Sequence, residues 1–136
     1  MGKLYLEVVT PEKVLVSQEV DSVAAPGALG EFGVLEGHLP FLSAILPGEL
    51  RYTSTGHTEY VAVTTGFAEV SNDRVSVLVD AAEKSRDIDV ERARRAMERA
   101  KERLAKDRGA KDLDFARAEI ALKRAIMRIK VAEKPG

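Results

Sequence analysis

The feature that most constrains this chain is a change of grammar near its middle. Up to about residue 80, turn residues recur at short intervals: Pro26-Gly27, Pro47-Gly48, Ser54-Thr55-Gly56, Thr65-Gly66 and Ser71-Asn72-Asp73. Between them lie short runs rich in β-branched and aliphatic residues, among them Leu4–Val9, Val20–Val23, Glu59–Val63 and Arg74–Val79. Such runs read as strands, and many short strands with such punctuation argue for a sandwich or barrel rather than βαβ units. After Ala81–Asp87 the turn residues thin out and the apolar period becomes helical. Val90, Ala93, Met97, Ala100 and Leu104 form one seam, and Phe115, Ala118, Leu122, Ala125 and Ile129 a second. Asp87 is placed to cap the first helix, Gly109 to stop it and Asp112 to cap the second. Two helices with so short a connection lie antiparallel. The expected fold is therefore α+β, a β-sandwich over 1–84 followed by a helical hairpin over 85–136.

The seams are rich in alanine. Alanines let two backbones approach closely but bury little apolar area, and area is what stabilises at ~25 cal/mol per Å². Such a hairpin holds together loosely and can open.

Charge divides at the same boundary. Residues 1–87 carry 6 Lys/Arg against 13 Asp/Glu, and residues 88–136 carry 15 against 9. The helical half should seek an acidic partner or a phosphate. Nucleic acid fits poorly, because the only aromatic in that half, Phe115, belongs to the seam and the acidic half would repel a phosphate backbone. The chain has no cysteine and only two histidines, His38 and His57, which removes thiol chemistry and offers no zinc-ligand set. No apolar run approaches the roughly 18 residues that cross a bilayer, so direct membrane insertion is not expected. The N-terminus enters a strand pattern with no signal-peptide core.

Two constellations stand out. Gly27 to Pro40 carries glycines at 27, 30, 33 and 37. No helix pattern and no Lys-Ser/Thr pair follows them, so they read as tight β turns displaying Glu31, Phe32 and His38 for partner contact, not as a phosphate loop. His38 has no nucleophile or orienting carboxylate specified beside it, and no catalytic or metal-binding residue is assigned. The second constellation is arginine. Arg92, Arg95, Arg99 and Arg103 share one face of the first helix, and Arg117, Arg124 and Arg128 lie along the second. Closed in a hairpin, the two stripes could clamp a polyphosphate. Spacing by itself favours solvated faces with i,i+4 pairs such as Glu91–Arg95 and Glu119–Lys123, each worth about 0.2–0.5 kcal/mol.

The run Gly30-Glu31-Phe32-Gly33-Val34-Leu35-Glu36-Gly37-His38-Leu39-Pro40, then Leu46-Pro47-Gly48, then Gly66-Phe67-Ala68-Glu69-Val70, resembles the epsilon subunits of F-type ATP synthases. The alanine-rich hairpin and the closing Val131-Ala132-Glu133 match in order, and Phe32 stands where leucine is more usual. The resemblance implies a ten-stranded sandwich of two five-stranded sheets with a mobile C-terminal hairpin. It implies a non-catalytic central-stalk role in a proton-translocating synthase, with gamma and the membrane c-ring as partners of the sandwich. The extended hairpin would reach the catalytic alpha and beta subunits and inhibit hydrolysis. A peripheral place at the cytoplasmic face of a bacterial plasma membrane follows from it.

Some members of that family bind ATP in the folded-down hairpin through an Ile/Leu-Asp-x-x-Arg-Ala motif, which Ile88-Asp89-Val90-Glu91-Arg92-Ala93 matches in full. By position, Glu83, Ile88 and Asp89 would lie near adenine, with Arg92, Arg99, Arg124 and Arg128 on the phosphates. ATP would then be a regulatory ligand, and no cofactor is required. The competing class is a free-standing nucleotide-binding adaptor outside any synthase.

Overall fold

The structure, a computed structural model, describes residues 4–106 and 112–134. Ten strands come first: β1 (Leu4–Val9), β2 (Val14–Val20), β3 (Ser22–Gly27), β4 (Gly30–Val34), β5 (Phe41–Ile45), β6 (Gly48–Ser54), β7 (His57–Val63), β8 (Gly66–Ser71), β9 (Arg74–Val79) and β10 (Ala82–Lys84). A single 3-10 turn, Ser85–Asp87, leads into α1 (Val90–Lys106) and α2 (Asp112–Ala132). The Gly109 stop and the capping side chain of Asp112 lie outside the described residues.

The strands pair as two five-stranded halves, β10-β7-β6-β3-β4 and β5-β8-β9-β1-β2. A single pairing, Gly27 with Ile45, joins them at one corner. At another corner the chain passes directly from β2 into β3, where the Asp21 N–H donates to Thr53 O at 2.7 Å. The halves therefore close on each other as the expected sandwich. Alternation sets the register: Leu4, Leu6 and Val8 of β1 are buried while Tyr5, Glu7 and Val9 face outward, and Val75, Val77 and Val79 of β9 repeat the pattern. Two hairpins turn through consecutive positive-φ residues, Thr55-Gly56 (52° and 77°) and Asn72-Asp73 (52° and 59°). That geometry matches the right-handed strand twist. Thr55 is β-branched and strained there, and its N–H is held by Asp21 Oδ2 at 3.0 Å.

The glycine-rich segment departs from expectation. Glu31 and Phe32 lie on strand β4, with Glu31 opposite Pro26 and Phe32 opposite Ala25. Glycine here does not signal only turns: Gly27 and Gly30 flank a short hairpin, and Gly33 is an ordinary strand residue. Phe32 is half-buried and packs against the sandwich core from strand β4 rather than standing on a turn.

The hairpin seams form as read. Ala93, Ala100, Ala118 and Ala125 are all buried, while Phe115 at the far end of its seam is 40% exposed. The cap of α1 is Asp89 rather than Asp87: the Arg92 N–H donates to Asp89 Oδ1 and the Ala93 N–H to Asp89 O, both at 3.0 Å. Ile88 decides this. Its side chain is buried and its backbone extended (φ −74°, ψ 126°), so the helix starts only after it. The predicted Glu91–Arg95 pair is also replaced, Glu91 binding Arg94 one turn edge earlier at 3.0 Å, while Glu119–Lys123 forms at 3.5 Å.

The sandwich core and the hairpin contact are separate apolar clusters. The first runs from Leu4 to Ala82. The second is small: Ala62, Ile88 and Val131, flanked by Tyr60, Met127 and Ala132. The hairpin is thus folded down on the β6–β7 face through α2, resting on its own patch.

Candidate functional site at the junction of sandwich and hairpin

A cleft of about 400 Å³ opens where α2 crosses the edge of the sandwich. Its apolar floor is Ala62, Ala82 and Met127. Arg124 and Arg128 enter from α2, and Thr64, Thr65, Asp80 and Glu83 from the strand ends. β10 places Glu83 because it pairs antiparallel with β7, setting Glu83 beside Ala62. The helical period then brings Arg128 above it. Arg128 Nε and Nη2 donate to the two carboxylate oxygens of Glu83 at 2.8 and 3.1 Å, a bidentate contact across the junction. Two more ion pairs fasten the hairpin. Arg86 Nη1 reaches both oxygens of Glu59 at 3.1 Å, and Lys134 Nζ lies 3.7 Å from Glu49 while also sitting over the Tyr60 ring.

Of the residues singled out for nucleotide contact, Glu83, Arg124 and Arg128 converge on this cleft. Ile88 and Ala93 are buried, Ile88 in the docking patch and Ala93 in the helix seam. Asp89 is spent on capping α1. Arg92 and Arg99 are exposed on α1 and do not line the cleft; Arg99 lies in an outer groove with Arg94, Arg95, Glu98 and Glu102. Thr64, Thr65 and Asp80 do line it, and no helical periodicity or motif pointed to them, since they sit in strand connections.

The partner-contact residues separate. Glu31 is ion-paired with Arg51 of β6, whose second nitrogen lies 3.1 Å from Oε2. The hydrogen bond from that guanidinium lowers the Glu31 carboxyl from its ordinary value, with desolvation opposing it and the Arg51 charge adding to it. His38 and Phe32 meet instead through Phe41, with ring centroids 5.8 and 5.1 Å from it, both edge-on. His38 Nδ1 donates to Leu39 O at 2.6 Å. On this face the residues that sequence reasoning missed are apolar. Cross-strand pairing aligns Ala44, Phe67, Leu78 and Val9 in one outward row over β5, β8, β9 and β1. Phe67 is 61% and Leu78 56% exposed, and Leu42 nearby is 69% exposed. Alternation around Ala68 and Val77 could have found them.

Fold and site together define a two-part protein: a β-sandwich with an uncovered apolar strip, a separately docked helical hairpin, and a mixed-charge cleft at the joint. Residues 3–85 match the ATP synthase delta/epsilon chain beta-sandwich domain, and residues 86–133 the ATP synthase delta/epsilon chain long alpha-helix domain. The chain belongs to this family of ATP synthase subunits, as a non-catalytic epsilon-type chain. It is 54% identical over 134 residues to the ATP synthase epsilon chain of Syntrophobacter fumaroxidans, covering 97% of each chain. It is 52% identical over 128 residues to that of Nitratidesulfovibrio vulgaris, covering 94% of each. Among solved structures it is similar to a chain of the Euglena gracilis mitochondrial ATP synthase, in an OSCP/F1/c-ring assembly. There the TM-score is 0.79 and the identity 26%, over 93% of this chain and 79% of that one. A chain of the Tetrahymena thermophila mitochondrial central stalk and c-ring shares the fold, with TM-score 0.58 and 14% identity over 96% of this chain and 93% of that one.

Proposed function

We propose that the chain is a central-stalk subunit that couples gamma to the c-ring and restrains ATP hydrolysis through its hairpin, with ATP as the ligand that favours the folded-down state. One observation carries the regulatory part: the hairpin docks through its own small cluster and, among the described residues, three ion pairs, so it can leave without opening the sandwich core. An element held this way is bistable, and a ligand binding only its docked form shifts the balance. The cleft at the joint exists only when α2 is down, because Arg124 and Arg128 are brought to it by that docking.

The strip of Leu42, Phe67 and Leu78 supports gamma as the partner of the sandwich face, since a free monomer gains nothing from leaving it in water. The β3–β4 tip, with Leu29 fully exposed beside the Glu31–Arg51 pair, supports contact with the c-ring. A free-standing adaptor is not favoured, because the relatives matched along nearly their full length are synthase chains. No described helix is long and apolar enough to cross a membrane, so these contacts supply the attachment.

The deciding experiment is deletion of residues 87–136 in a reconstituted synthase. Assembly and coupled synthesis should persist while inhibition of hydrolysis is relieved. Unchanged inhibition by the truncated chain would overturn the reading.

A further inference from the structure

The cleft has two chemically opposed walls, and only one of them is explained by phosphate. On the α2 side Arg124 presents a guanidinium with no ion pair among the described residues, and Arg128 is held by Glu83. On the other side two strand connections lock together. The Thr64 N–H donates to Ala81 O at 3.1 Å and the Ala81 N–H to Thr64 Oγ1 at 2.9 Å. The Asp80 N–H donates to Thr65 O at 3.0 Å, and Thr65 Oγ1 donates to Asp80 Oδ2 at 3.2 Å. These four bonds fix a ledge and aim the Asp80 carboxylate, whose Oδ1 takes no hydrogen bond among the described residues. Glu83 is occupied by Arg128, which leaves Asp80 as the acceptor on this wall.

A ligand that is anionic throughout would be repelled by Asp80, and a neutral polyol would leave Arg124 unanswered. The walls together fit a molecule with phosphate at one end and hydroxyl donors at the other. At about 400 Å³ the cleft falls within the size range of small-molecule sites. A fixed carboxylate is a good acceptor for a ribose diol, as in dinucleotide sites where an acidic residue binds the sugar hydroxyls. We infer that the Thr65–Asp80 ledge reads the ribose of the nucleotide, Asp80 accepting from its hydroxyls while Arg124 and Arg128 hold phosphate. Thr65 is the positioning residue that keeps the carboxylate turned toward the cleft. This rests on ATP being the ligand, and it adds a determinant that lies outside both helices and outside the Ile88–Ala93 motif.

Calorimetric titration of the full chain with ATP, 2′-deoxy-ATP, 3′-deoxy-ATP and tripolyphosphate tests it. A hydrogen bond to a charged group corresponds to about tenfold or more in affinity, so ATP should exceed at least one deoxy analogue by about tenfold. Asp80→Asn should remove that preference, weaken ATP by a similar factor, and leave tripolyphosphate as tight or slightly tighter. Equal affinity of the unaltered chain for ATP and both deoxy analogues overturns the inference and needs no variant to fold. A preference that survives in Asp80→Asn overturns it too. If ATP itself does not bind, the ligand reading fails first and the ledge assignment falls with it.

Discussion

Arg128 donates from Nε and Nη2 to both carboxylate oxygens of Glu83, at 2.8 and 3.1 Å, so the last third of α2 is clamped to the edge strand β10. The Arg128 side chain is 20% and that of Glu83 37% exposed, which makes the pair a partly screened one. Exposed pairs contribute about 0–1 kcal/mol, and bidentate geometry lifts this one toward the upper end. A clamp of that size holds α2 against the sandwich without locking it there.

Glu83→Gln should therefore loosen the hairpin and spare the sandwich. Loss of up to ~1 kcal/mol corresponds to about a fivefold rise in exchange of α2 amides with solvent deuterium. The amides of β1 and β9 should not change. Faster exchange in those strands, or none in α2, would contradict the separation of the two apolar clusters.

The two arginine sets should differ in weight. Arg124 lines the cleft and Arg92 does not. Arg124→Ala should weaken ATP binding at least about tenfold, and Arg92→Ala by clearly less, when both are titrated in the isolated chain. Equal losses would mean that the nucleotide bridges α1 and α2 rather than sitting between α2 and the sandwich.

Gly66 has no room for a side chain. A Cβ there would collide with the Leu78 carbonyl oxygen and lie 2.7 Å from Val79 Cα, both backbone atoms of the neighbouring strand. Gly66→Ala should cost about 2–3 kcal/mol, visible as a lower urea midpoint with an unchanged m-value. A midpoint within error of the unaltered chain would show that β8 and β9 can shift apart at that point.

Tyr52 sets an alkaline limit. It is buried on β6, and burial raises its phenol above the ordinary tyrosine value, with the Glu59 carboxylate adding to the rise and Arg86 opposing it. The unfolded chain then loses this proton at lower pH than the folded one. Stability is unaffected below the ordinary tyrosine value of about 10 and falls as pH climbs above it. Tyr52→Phe should flatten that alkaline decline in denaturant unfolding measured between neutral pH and pH ~11. An equally steep decline in the variant would assign the loss to other groups.

Much of this was legible in the residues. β1 and β9 were read at their true ends because Leu4–Val9 and Arg74–Val79 are short β-rich runs set off by turn residues, Thr10-Pro11 after the first and Ser71-Asn72-Asp73 before the second. The alanine seams were legible through the helical period. β4 was hidden because Gly30 and Gly33 look like turn residues, and only pairing with β3 makes them strand. The α1 cap was misplaced by two residues because Asp87 and Asp89 are chemically equal. Burial of Ile88 against Ala62 and Val131 chose between them.

The sequence by itself determined the class of fold, the division between an acidic sandwich and a basic hairpin, and the supply of arginines, because periodicity, turn chemistry and charge are written in consecutive residues. Tertiary structure decided which of those arginines act together. Arg124 and Arg128 meet Glu83, Thr64, Thr65 and Asp80 only because β10 pairs with β7 and α2 lies across their edge. Contacts between residues some forty-five or sixty positions apart depend on how strands close and where a helix docks, and no local pattern encodes them.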